Sequence, residues 1–438
     1  MRFLININFD RLNRKIAEAS YNYQEGIVKK VIGLTIEVEG VKAFVGEVCS
    51  IYNEENNRIV CEVVGFNENN VILMPLGELK GISPGCRVVP ERRPLSARCS
   101  DELFGKVLDG LGNPLDGSTI SYGVPYPLDA EPPDPLKRER IKDVISTGIR
   151  AIDGFLTCGE GQRIGIFAGS GVGKSTTLGM IAKYAEADVN VIALIGERGR
   201  EVKDFIEKDI GEDGMKKTII VCATSDKPAL VRLKGAFTAT AIAEYFRDRG
   251  KKVILMMDSV TRFAMAQREV GLAIGEPPAT KGYTPSVFAK LPRLMERAGM
   301  SDIGSITAFY TVLVDGDDLN EPIADAARSI LDGHIVLSRA LANKNHYPAI
   351  DVLASISRLM SEITTGEHKK KASFARDLLS TYKKSEDLIN IGAYVKGSNK
   401  KIDMAIKYYD RIISYLRQNV DESSSFAESV NTLEKMFD

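Results

Sequence analysis

The chain has 438 residues, of which 44% are apolar and 27% charged, and its formal net charge is −1. This length allows two or three domains, and the near-neutral charge excludes a global basic field that would attract nucleic acid or anionic lipid. Six widely spaced cysteines without a CxxC pair indicate reduced thiols, and three histidines without metal-like spacing argue against a zinc site.

The amino terminus shows neither a signal peptide nor a membrane span. Polar residues interrupt the apolar residues 1–5 before a signal segment forms, and no run approaches 18 apolar residues. We therefore expect a cytoplasmic protein. An apolar stripe at helical spacing follows, formed by Phe9, Leu12, Ile16 and Ala19. It predicts a helix within residues 1–22 that either packs on its own domain or docks a partner, and the sequence favours neither.

Residues 23–95 are predicted to form a small β-barrel. Apolar and polar residues alternate there with a period of two, in short runs separated by turn-forming residues. The runs lie at 36–39, 58–64 and 71–74, and the predicted hairpin turns at 53–57 and 65–70. Several short, evenly spaced strands are typical of a barrel. Because it lacks an aromatic and basic face, we expect a structural or ring-forming collar and not an oligonucleotide-binding barrel.

Residues 96–360 are predicted to form an α/β domain of the P-loop, RecA-like type. A turn-rich stretch at 103–117 and a segment with five prolines at 124–136 indicate a connector on the surface. Beyond them, strand and helix patterns alternate, which favours a parallel sheet covered on both faces. Predicted strands are 189–195, 218–223, 252–257 and 305–314, and predicted helices 176–187, 201–209 and 234–249.

A glycine-rich stretch at residues 163–176 is the strongest signal for chemistry. An apolar run meets a loop with three glycines, then a lysine and a serine. Such a loop binds phosphates through backbone N–H groups and the start of the next helix. Alanine opens the pattern in place of the usual glycine, which costs little if its φ is negative. The predicted ATP-binding residues are Ala168, Gly169, Ser170, Gly171, Val172, Gly173, Lys174, Ser175 and Thr176.

Two carboxylates follow apolar strands beyond this loop. Asp258 ends the run 253–257, at the edge where parallel sheets bind their ligands, and could hold Mg²⁺ through water together with the Ser175 hydroxyl. The alternative is a helix N-cap. Glu197 follows the strand predicted at 189–195 and could polarise an attacking water; taken alone, it would more often be a solvated loop charge.

Residues 361–438 are predicted to form a helical domain. One apolar stripe indicates a helix, formed by Ile402, Ala405, Ile406, Tyr409, Ile412, Ile413 and Leu416. The Gly-Ser-Asn sequence at 397–399 separates it from a preceding helix, and Ser425 and Glu428 can form a capping box for a last short helix.

Several motifs together resemble the rotary-type ATPases, which comprise the catalytic subunits of ATP synthases and their type III protein-export relatives. The motifs are TGIRAID at 147–153, GEGQRIGIFAGSGVGKS at 159–175, GERGRE at 196–201 and YPAIDVLASISR at 347–358. The resemblance extends from about residue 25 to 410. The blocks at 73–88 and 313–339, and the alanine that opens the phosphate loop, look like the flagellar type III export branch, also called flagellum-specific ATP synthases.

The resemblance implies roles for individual residues. It makes Glu197 the catalytic carboxylate, with Arg198 orienting it, Asp258 the second acidic motif and Arg262 close to the same edge. Arg358 matches an arginine that reaches the γ-phosphate held by the neighbouring subunit. Tyr347 matches an aromatic that stacks on adenine, with Tyr394 as a second wall. Without the family, Arg358 would be interpreted as a surface arginine and Tyr347 as a core tyrosine.

The implied function is Mg²⁺-dependent ATP hydrolysis by a homohexamer that releases export substrates from chaperones and unfolds them. Implied partners are a regulatory, stator-like protein at the N-terminus, a central stalk at the pore loop 275–288, the export gate and chaperone–substrate complexes. The protein would lie in the cytoplasm, peripherally at the membrane export apparatus. Alternatives are an injectisome secretion ATPase, an ATP synthase catalytic subunit, which fits the alanine-opened loop less well, and an RNA-translocating ring, against which the near-neutral charge argues.

Overall fold

The computed structural model describes residues 24–314 and 318–437. The helix predicted within residues 1–22 lies outside the described residues. The chain forms two compact units that divide between Leu95 and Ser96. The finer division predicted from the sequence, with a boundary near residue 360, stays a prediction. Within the described residues, no helix is both long and apolar enough to cross a membrane.

The first unit contains a closed antiparallel barrel, as predicted. Its strands are β1 (Gly26–Ile32), β2 (Thr35–Glu39), β3 (Glu47–Tyr52), β4 (Arg58–Asn67), β5 (Asn70–Pro75) and β6 (Arg87–Pro94). They pair in the order β1-β2-β5-β4-β3-β6, and pairing of β1 with β6 closes the barrel. Val28, Ile36, Ile51, Leu73 and Val88 fill its interior, because alternate side chains of each strand point inward.

One predicted hairpin turn of the barrel is wrong in extent. The polar cluster at 65–70 was expected to be turn, but β4 continues to Asn67 and β5 begins at Asn70. Asn67 pairs directly with Asn70, so the turn is a tight connection through Glu68, whose φ is 52°. Cross-strand pairing outweighs the weak strand preference of these polar residues.

The second unit is built around a mostly parallel sheet, which confirms the predicted α/β class. Its strands pair in the order β19-β18-β12-β17-β15-β13-β14-β8, with β16 beside β17. The strands from Ser96 onward are β7 (Ser96–Cys99), β8 (Val107–Asp109), β9 (Val124–Pro127), β10 (Val144–Ile145), β11 (Cys158–Gly159), β12 (Arg163–Ala168), β13 (Val189–Ile195), β14 (Thr218–Ala223), β15 (Lys252–Asp258), β16 (Gly299–Met300), β17 (Ser305–Leu313), β18 (Gly333–Leu337) and β19 (Ile356–Ser357).

Helices cover this sheet and continue beyond it. The α-helices are α1 (Arg150–Phe155), α2 (Lys174–Tyr184), α3 (Gly199–Asp204), α4 (Gly211–Met215), α5 (Ala229–Arg247), α6 (Val260–Ala273), α7 (Pro285–Met295), α8 (Pro322–Ile330), α9 (Arg339–Asn343), α10 (Met360–Ile363), α11 (Gly366–Asn390), α12 (Lys400–Leu416) and α13 (Phe426–Lys435). A π-helical segment, Phe205–Ile210, joins α3 to α4, and short 3-10 turns lie at Asp101–Leu103 and Thr280–Gly282.

The helical carboxyl-terminal region packs into the same core as the sheet. Tyr415 and Leu416 of α12 are buried in one cluster with Phe155 of α1. Ser425 caps α13 with Glu428 in the reciprocal arrangement predicted from the sequence. Ile406 of the predicted apolar stripe is 38% exposed, so the stripe is only partly buried.

Candidate active site

The phosphate loop connects β12 to α2 at the carboxyl end of the sheet. Ala168 is the buried last residue of β12, while Gly171 and Gly173 have φ values of 76° and 90°, which favour glycine. A Cβ at Gly171 would meet no atom within 4 Å, so glycine is needed there for its backbone and not for space. Helix α2 begins at Lys174 and directs its positive amino end at the loop, an arrangement that binds phosphate.

One cavity of about 510 Å³ brings the loop together with side chains from other strand ends. It is lined by the loop and the start of α2, by Glu197 and Arg198 after β13, and by Arg262 of α6. Ser170, Ser175 and Thr176 line it, whereas Val172 is turned into the hydrophobic core. Parallel strands end at the same edge, so residues far apart in sequence meet there.

Lys174 is held between two carboxylates at this edge. Its Nζ contacts the Asp258 carboxylate and lies 3.5 Å from Oε1 of Glu197. Burial lowers the pKa of Lys174, but the charges of Asp258 and Glu197 raise it more, so the ammonium form is held. The Thr311 hydroxyl of β17 donates to Asp258 Oδ1 at 2.8 Å. Asp258 is thus oriented by a neighbouring strand as well as by Lys174.

Glu197 has a raised pKa in this cavity. Burial raises its pKa, the nearby charge of Asp258 raises it further, and Lys174 opposes both. The side chain is only 16% exposed. A carboxyl group with a raised pKa in a cavity is suited to proton transfer or to orienting water, whereas the solvated loop charge considered from the sequence does not fit this burial.

The oxygen donors in the cavity suit a magnesium ion bound with a nucleotide. Ser175 lines the cavity and Asp258 lies 5% exposed beside Lys174, and Mg²⁺ prefers hydroxyl, carboxylate and phosphate oxygens. The described part of the chain contains no group of three or more His, Cys, Asp or Glu side chains that could cage a metal. A magnesium ion that is held mainly by phosphates and water needs no such cage.

Two arginines reach the cavity in different ways. Arg198 is 70% exposed on its side chain and pairs with Glu201 at 3.2 Å, so it is not oriented toward Glu197 by a direct bond. The Arg262 Nε is buried without a hydrogen-bond partner among the described residues. A buried unpaired donor costs free energy, and its place in the cavity fits a group that accepts hydrogen bonds, such as a phosphate.

A second cavity of about 580 Å³ adjoins the loop and contains Tyr347. An added Cβ at Gly173 would lie 3.6 Å from the Tyr347 ring, so the ring and the loop are neighbours. Gln418, Asn419 and Val420 also line this cavity, and the Gln418 backbone N–H donates to the Tyr347 carbonyl at 3.0 Å. Tyr347 is 43% exposed and not a core tyrosine. An exposed aromatic ring in a cavity beside a phosphate loop can stack on a planar base.

Tyr394, the second aromatic wall implied by the resemblance, is not brought to this cavity. It follows α11, and its hydroxyl donates to Oδ1 of Asp403 at 3.0 Å and to the Asn399 carbonyl at 2.9 Å. These bonds tie it to the turn before α12. Val420 and Gln418, which no sequence motif singled out, line the cavity with Tyr347 instead.

Replacing Tyr347 with alanine is expected to raise the KM for ATP about 5- to 150-fold, because stacking on a base contributes about 1–3 kcal/mol. Steady-state hydrolysis across ATP concentrations measures the change. Tyr394→Ala is the matched control and should leave KM unchanged. A larger rise in KM for Tyr394→Ala than for Tyr347→Ala would restore the assignment implied by the resemblance.

Arg358 lies at the amino ends of the parallel strands, whereas its own phosphate loop lies at their carboxyl ends. It follows β19, in which Ser357 pairs with Gly333, and its backbone N–H donates to the Asp332 carbonyl at 3.0 Å. Because β18 runs parallel to β12, Arg358 lies beside the start of β12, whereas the loop follows its end. The six residues of β12 span roughly 20 Å at about 3.3 Å per residue. An exposed arginine at this place can serve another subunit.

Three family models match the chain from the barrel to the last helices. Residues 28–92 match the β-barrel domain of the ATP synthase alpha/beta family, residues 148–357 its nucleotide-binding domain, and residues 364–435 the T3SS EscN ATPase C-terminal domain. The "Flagellum-specific ATP synthase" of Bacillus subtilis is 59% identical over 93% of this chain and 94% of its own. The chain belongs to the ATP synthase alpha/beta family, in the branch of the flagellar and type III secretion ATPases.

Solved structures of this family have the same fold. The assembled ATPase EscN of the enteropathogenic E. coli type III secretion system matches with a TM-score of 0.89 at 47% identity, covering 94% of this chain and all of that chain. EscN in complex with its central stalk EscO matches with a TM-score of 0.88 at 46% identity and the same coverage. The family membership confirms the predicted ATP hydrolase and the barrel, parallel-sheet and helical architecture.

Proposed function

We propose that the chain hydrolyses Mg-ATP as a ring-forming ATPase of the flagellar type III protein export apparatus. The observation that carries the proposal is the convergence of Lys174, Glu197 and Asp258 on the phosphate loop, in a chain whose similarity to a flagellum-specific ATP synthase extends over nearly its whole length. The family supports the ATPase activity, and the site supports the assignment of individual residues.

Each side chain of the cavity has a task in the hydrolysis of ATP. The loop N–H groups and Lys174 bind the phosphates and neutralise their charge. Ser175 and Asp258 would hold the magnesium ion, Asp258 through a water molecule, and the ion would supply positive charge beside the phosphates. Glu197 orients the attacking water and accepts its proton, a role for which burial and a raised pKa prepare it. Arg262 is a phosphate ligand, whereas a role of Arg198 in orienting Glu197 requires that Arg198 first leave its partner Glu201.

The position of Arg358 supports a site that is completed across a subunit boundary. An arginine at the far edge of the sheet cannot reach its own loop without unfolding that edge, since it is hydrogen-bonded to Asp332 at 3.0 Å. In a closed ring each subunit offers its loop to one neighbour and its Arg358 to the other. The homohexamer predicted from the resemblance has this arrangement, with one site at each interface.

The further partners remain part of the proposal. The solved complex of EscN with EscO supports a central stalk at the pore, to which we assign residues 275–288. We assign residues 1–22 to a regulatory, stator-like protein, and we place the ring in the cytoplasm, peripherally at the membrane export gate, where it releases chaperone-bound substrates and unfolds them. No contact with nucleic acid is proposed.

A genetic exchange tests the flagellar assignment against the injectisome alternative. The chain should restore swimming to a flagellated bacterium that lacks its own flagellar export ATPase, and Lys174→Ala should not, because the γ-phosphate loses its main fixed cation. The same gene should fail in a strain that lacks an injectisome ATPase. Rescue of secretion without rescue of swimming would favour the injectisome.

The two remaining alternatives are separated by assays on the purified chain. Hydrolysis by the chain alone, without a noncatalytic partner, is expected of an export ATPase and not of an ATP synthase catalytic subunit. Addition of RNA should leave turnover unchanged. Strong stimulation by RNA would instead indicate a translocase.

A further inference from the structure

The strand pair that carries Arg358 is anchored by a set of partly buried polar contacts that ATP hydrolysis as described above does not use. The Arg358 backbone N–H donates to the carbonyl of Asp332, which immediately precedes β18. The Asp332 backbone N–H in turn donates to the carbonyl of Arg163, the first residue of β12, at 2.9 Å. The guanidinium of Arg358 is exposed, and its Nη2 donates a long bond, 3.3 Å, to the Arg328 carbonyl.

The Asp332 carboxylate is bound at both oxygens by Arg163. The Arg163 backbone N–H and Nε donate to Oδ2 at 3.2 and 3.0 Å, and Nη2 donates to Oδ1 at 3.2 Å. Arg163 also contacts the Glu296 carboxylate and is 14% exposed. A two-pronged guanidinium–carboxylate contact fixes the orientation of both partners, which a single charge contact does not.

Gln162 fastens the second strand of the pair. Its side chain is fully buried, and Nε2 donates to the Asp332 carbonyl at 3.0 Å and to the Ser357 hydroxyl at 3.2 Å. The Ser357 hydroxyl donates to the Thr157 carbonyl at 2.8 Å. We call Gln162, Arg163, Asp332 and Ser357 the anchor. The anchor fixes Ser357, which precedes Arg358, and Asp332, whose carbonyl accepts the Arg358 backbone N–H.

The anchor also joins Arg358 to the phosphate loop of the same chain. Strand β12 begins at Arg163 in the anchor and ends at Ala168, where the loop begins. All six residues of β12 pair with β17, and Arg163 has Ala308 as its partner.

We propose that Arg163 and Asp332 are positioning residues for Arg358, which hold it in place for the neighbouring subunit. The proposal rests on the assignment of Arg358 to a site in trans. The alternative is that the pair only stabilises the fold, as an ion pair at the rim of the sheet often does. The two alternatives differ in what the variants do to kcat and in which partner subunit rescues them.

Asp332→Asn keeps the shape of the side chain and removes the charge that Nε and Nη2 of Arg163 bind. We expect kcat to fall up to about 100-fold, as misplacement of a reacting group by about 1 Å does, with unchanged KM and unchanged ATP binding. Arg163→Lys keeps the charge and should recover part of kcat relative to Arg163→Gln. The double variant Arg163→Gln/Asp332→Asn should be no slower than the slower single variant, because the pair acts as one unit.

Asp116→Asn is the matched control. Asp116 accepts an ion pair from Lys106 at 3.3 Å, and it follows β8, the strand at the opposite end of the sheet from β19. The Asp116→Asn substitution removes one aspartate charge from a surface pair with a lysine, and it should leave kcat unchanged. An unchanged kcat for Asp332→Asn, or a fall that the control shares, overturns the positioning role.

Mixed rings assign the defect to one side of the interface. An Asp332→Asn subunit has an intact loop and a misplaced Arg358, so Lys174→Ala subunits, which carry an intact Arg358, should raise its turnover. Arg358→Ala subunits should not raise it, because both partners are then defective in the same element. Rescue by Arg358→Ala instead of Lys174→Ala would place the defect at the loop and overturn the proposal.

The mixture of Lys174→Ala with Arg358→Ala separates this proposal from the function on which it rests. If that mixture regains activity and the mixture of Lys174→Ala with Asp332→Asn does not, the trans role of Arg358 stands and the positioning role is overturned. If neither mixture regains activity in rings shown to contain both chains, the trans assignment fails and the positioning role fails with it.

Discussion

Replacing Arg358 with alanine is expected to lower ATP turnover by about 10³- to 10⁵-fold while ATP still binds, because an arginine that reaches the γ-phosphate stabilises the charge of the transition state by that amount. Binding is preserved because Arg358 lies at the far edge of the sheet from its own loop and the Lys174 cavity is untouched. Steady-state hydrolysis and equilibrium binding of a fluorescent ATP analogue measure the two quantities separately.

Arg249→Ala is the matched control for this variant. Arg249 precedes β15 at the same edge of the sheet, is 50% exposed, and has Asp101 as a partner at 3.4 Å. The Arg249→Ala variant should hydrolyse ATP at nearly the rate of the unchanged protein. Equal losses in both variants would show that arginines at this edge support the fold or the ring, and not the chemistry.

Replacing Glu197 with glutamine is expected to leave ATP bound and to lower hydrolysis by about 10²- to 10⁴-fold, the usual contribution of a general base. Glutamine keeps the shape of the side chain and can hydrogen-bond, but it cannot accept the proton of the attacking water. Lys174 loses one of its two carboxylate partners and keeps Asp258. Single-turnover hydrolysis in the presence of excess enzyme measures the chemical step directly.

Glu207→Gln provides the control for the loss of a glutamate charge. Glu207 lies in the π-helical segment after α3, is 60% exposed, and pairs with Lys203 at 3.6 Å. The turnover of the Glu207→Gln variant should match that of the unchanged protein. If Glu197→Gln fails to bind nucleotide at all, Glu197 supports the structure of the cavity and another group activates the water.

The strands that are buried on both faces were predicted well from the sequence. Strands β13 and β14 have the predicted bounds, and β15 extends one residue further, to Asp258. Continuous apolar runs leave little freedom in where such a strand lies. The short edge strand β8 was not predicted, because Val107–Asp109 lies among turn-forming residues and is a strand only by pairing with β14.

Helix bounds were predicted less accurately. The helix expected at 234–249 begins at Ala229, directly after Pro228, since proline favours the start of a helix. The helix expected at 201–209 changes to a π-helical segment at Phe205 and ends before Gly211. Local side-chain periodicity does not report such a change in backbone hydrogen bonding, because the apolar face is nearly the same in both.

The candidate site was predictable where a motif lies next to the strand that positions it. Lys174, Glu197 and Asp258 each follow a strand of one parallel sheet, so their convergence followed from the topology. The wall at Gln418 and Val420 lies after α12, more than two hundred residues from the loop, and has no motif of its own. Tyr394 was placed by resemblance alone, and the bonds to Asp403 and Asn399 explain why it lies elsewhere.

The central claim is that one active site is built from two copies of this chain. Its most direct test mixes Lys174→Ala subunits, which cannot use ATP but present an intact Arg358, with Arg358→Ala subunits, which have an intact loop and Glu197. Single-turnover hydrolysis in rings shown to contain both chains is the measurement. We predict hydrolysis well above that of either variant alone. Hydrolysis no greater than that of either parent would contradict a site completed in trans.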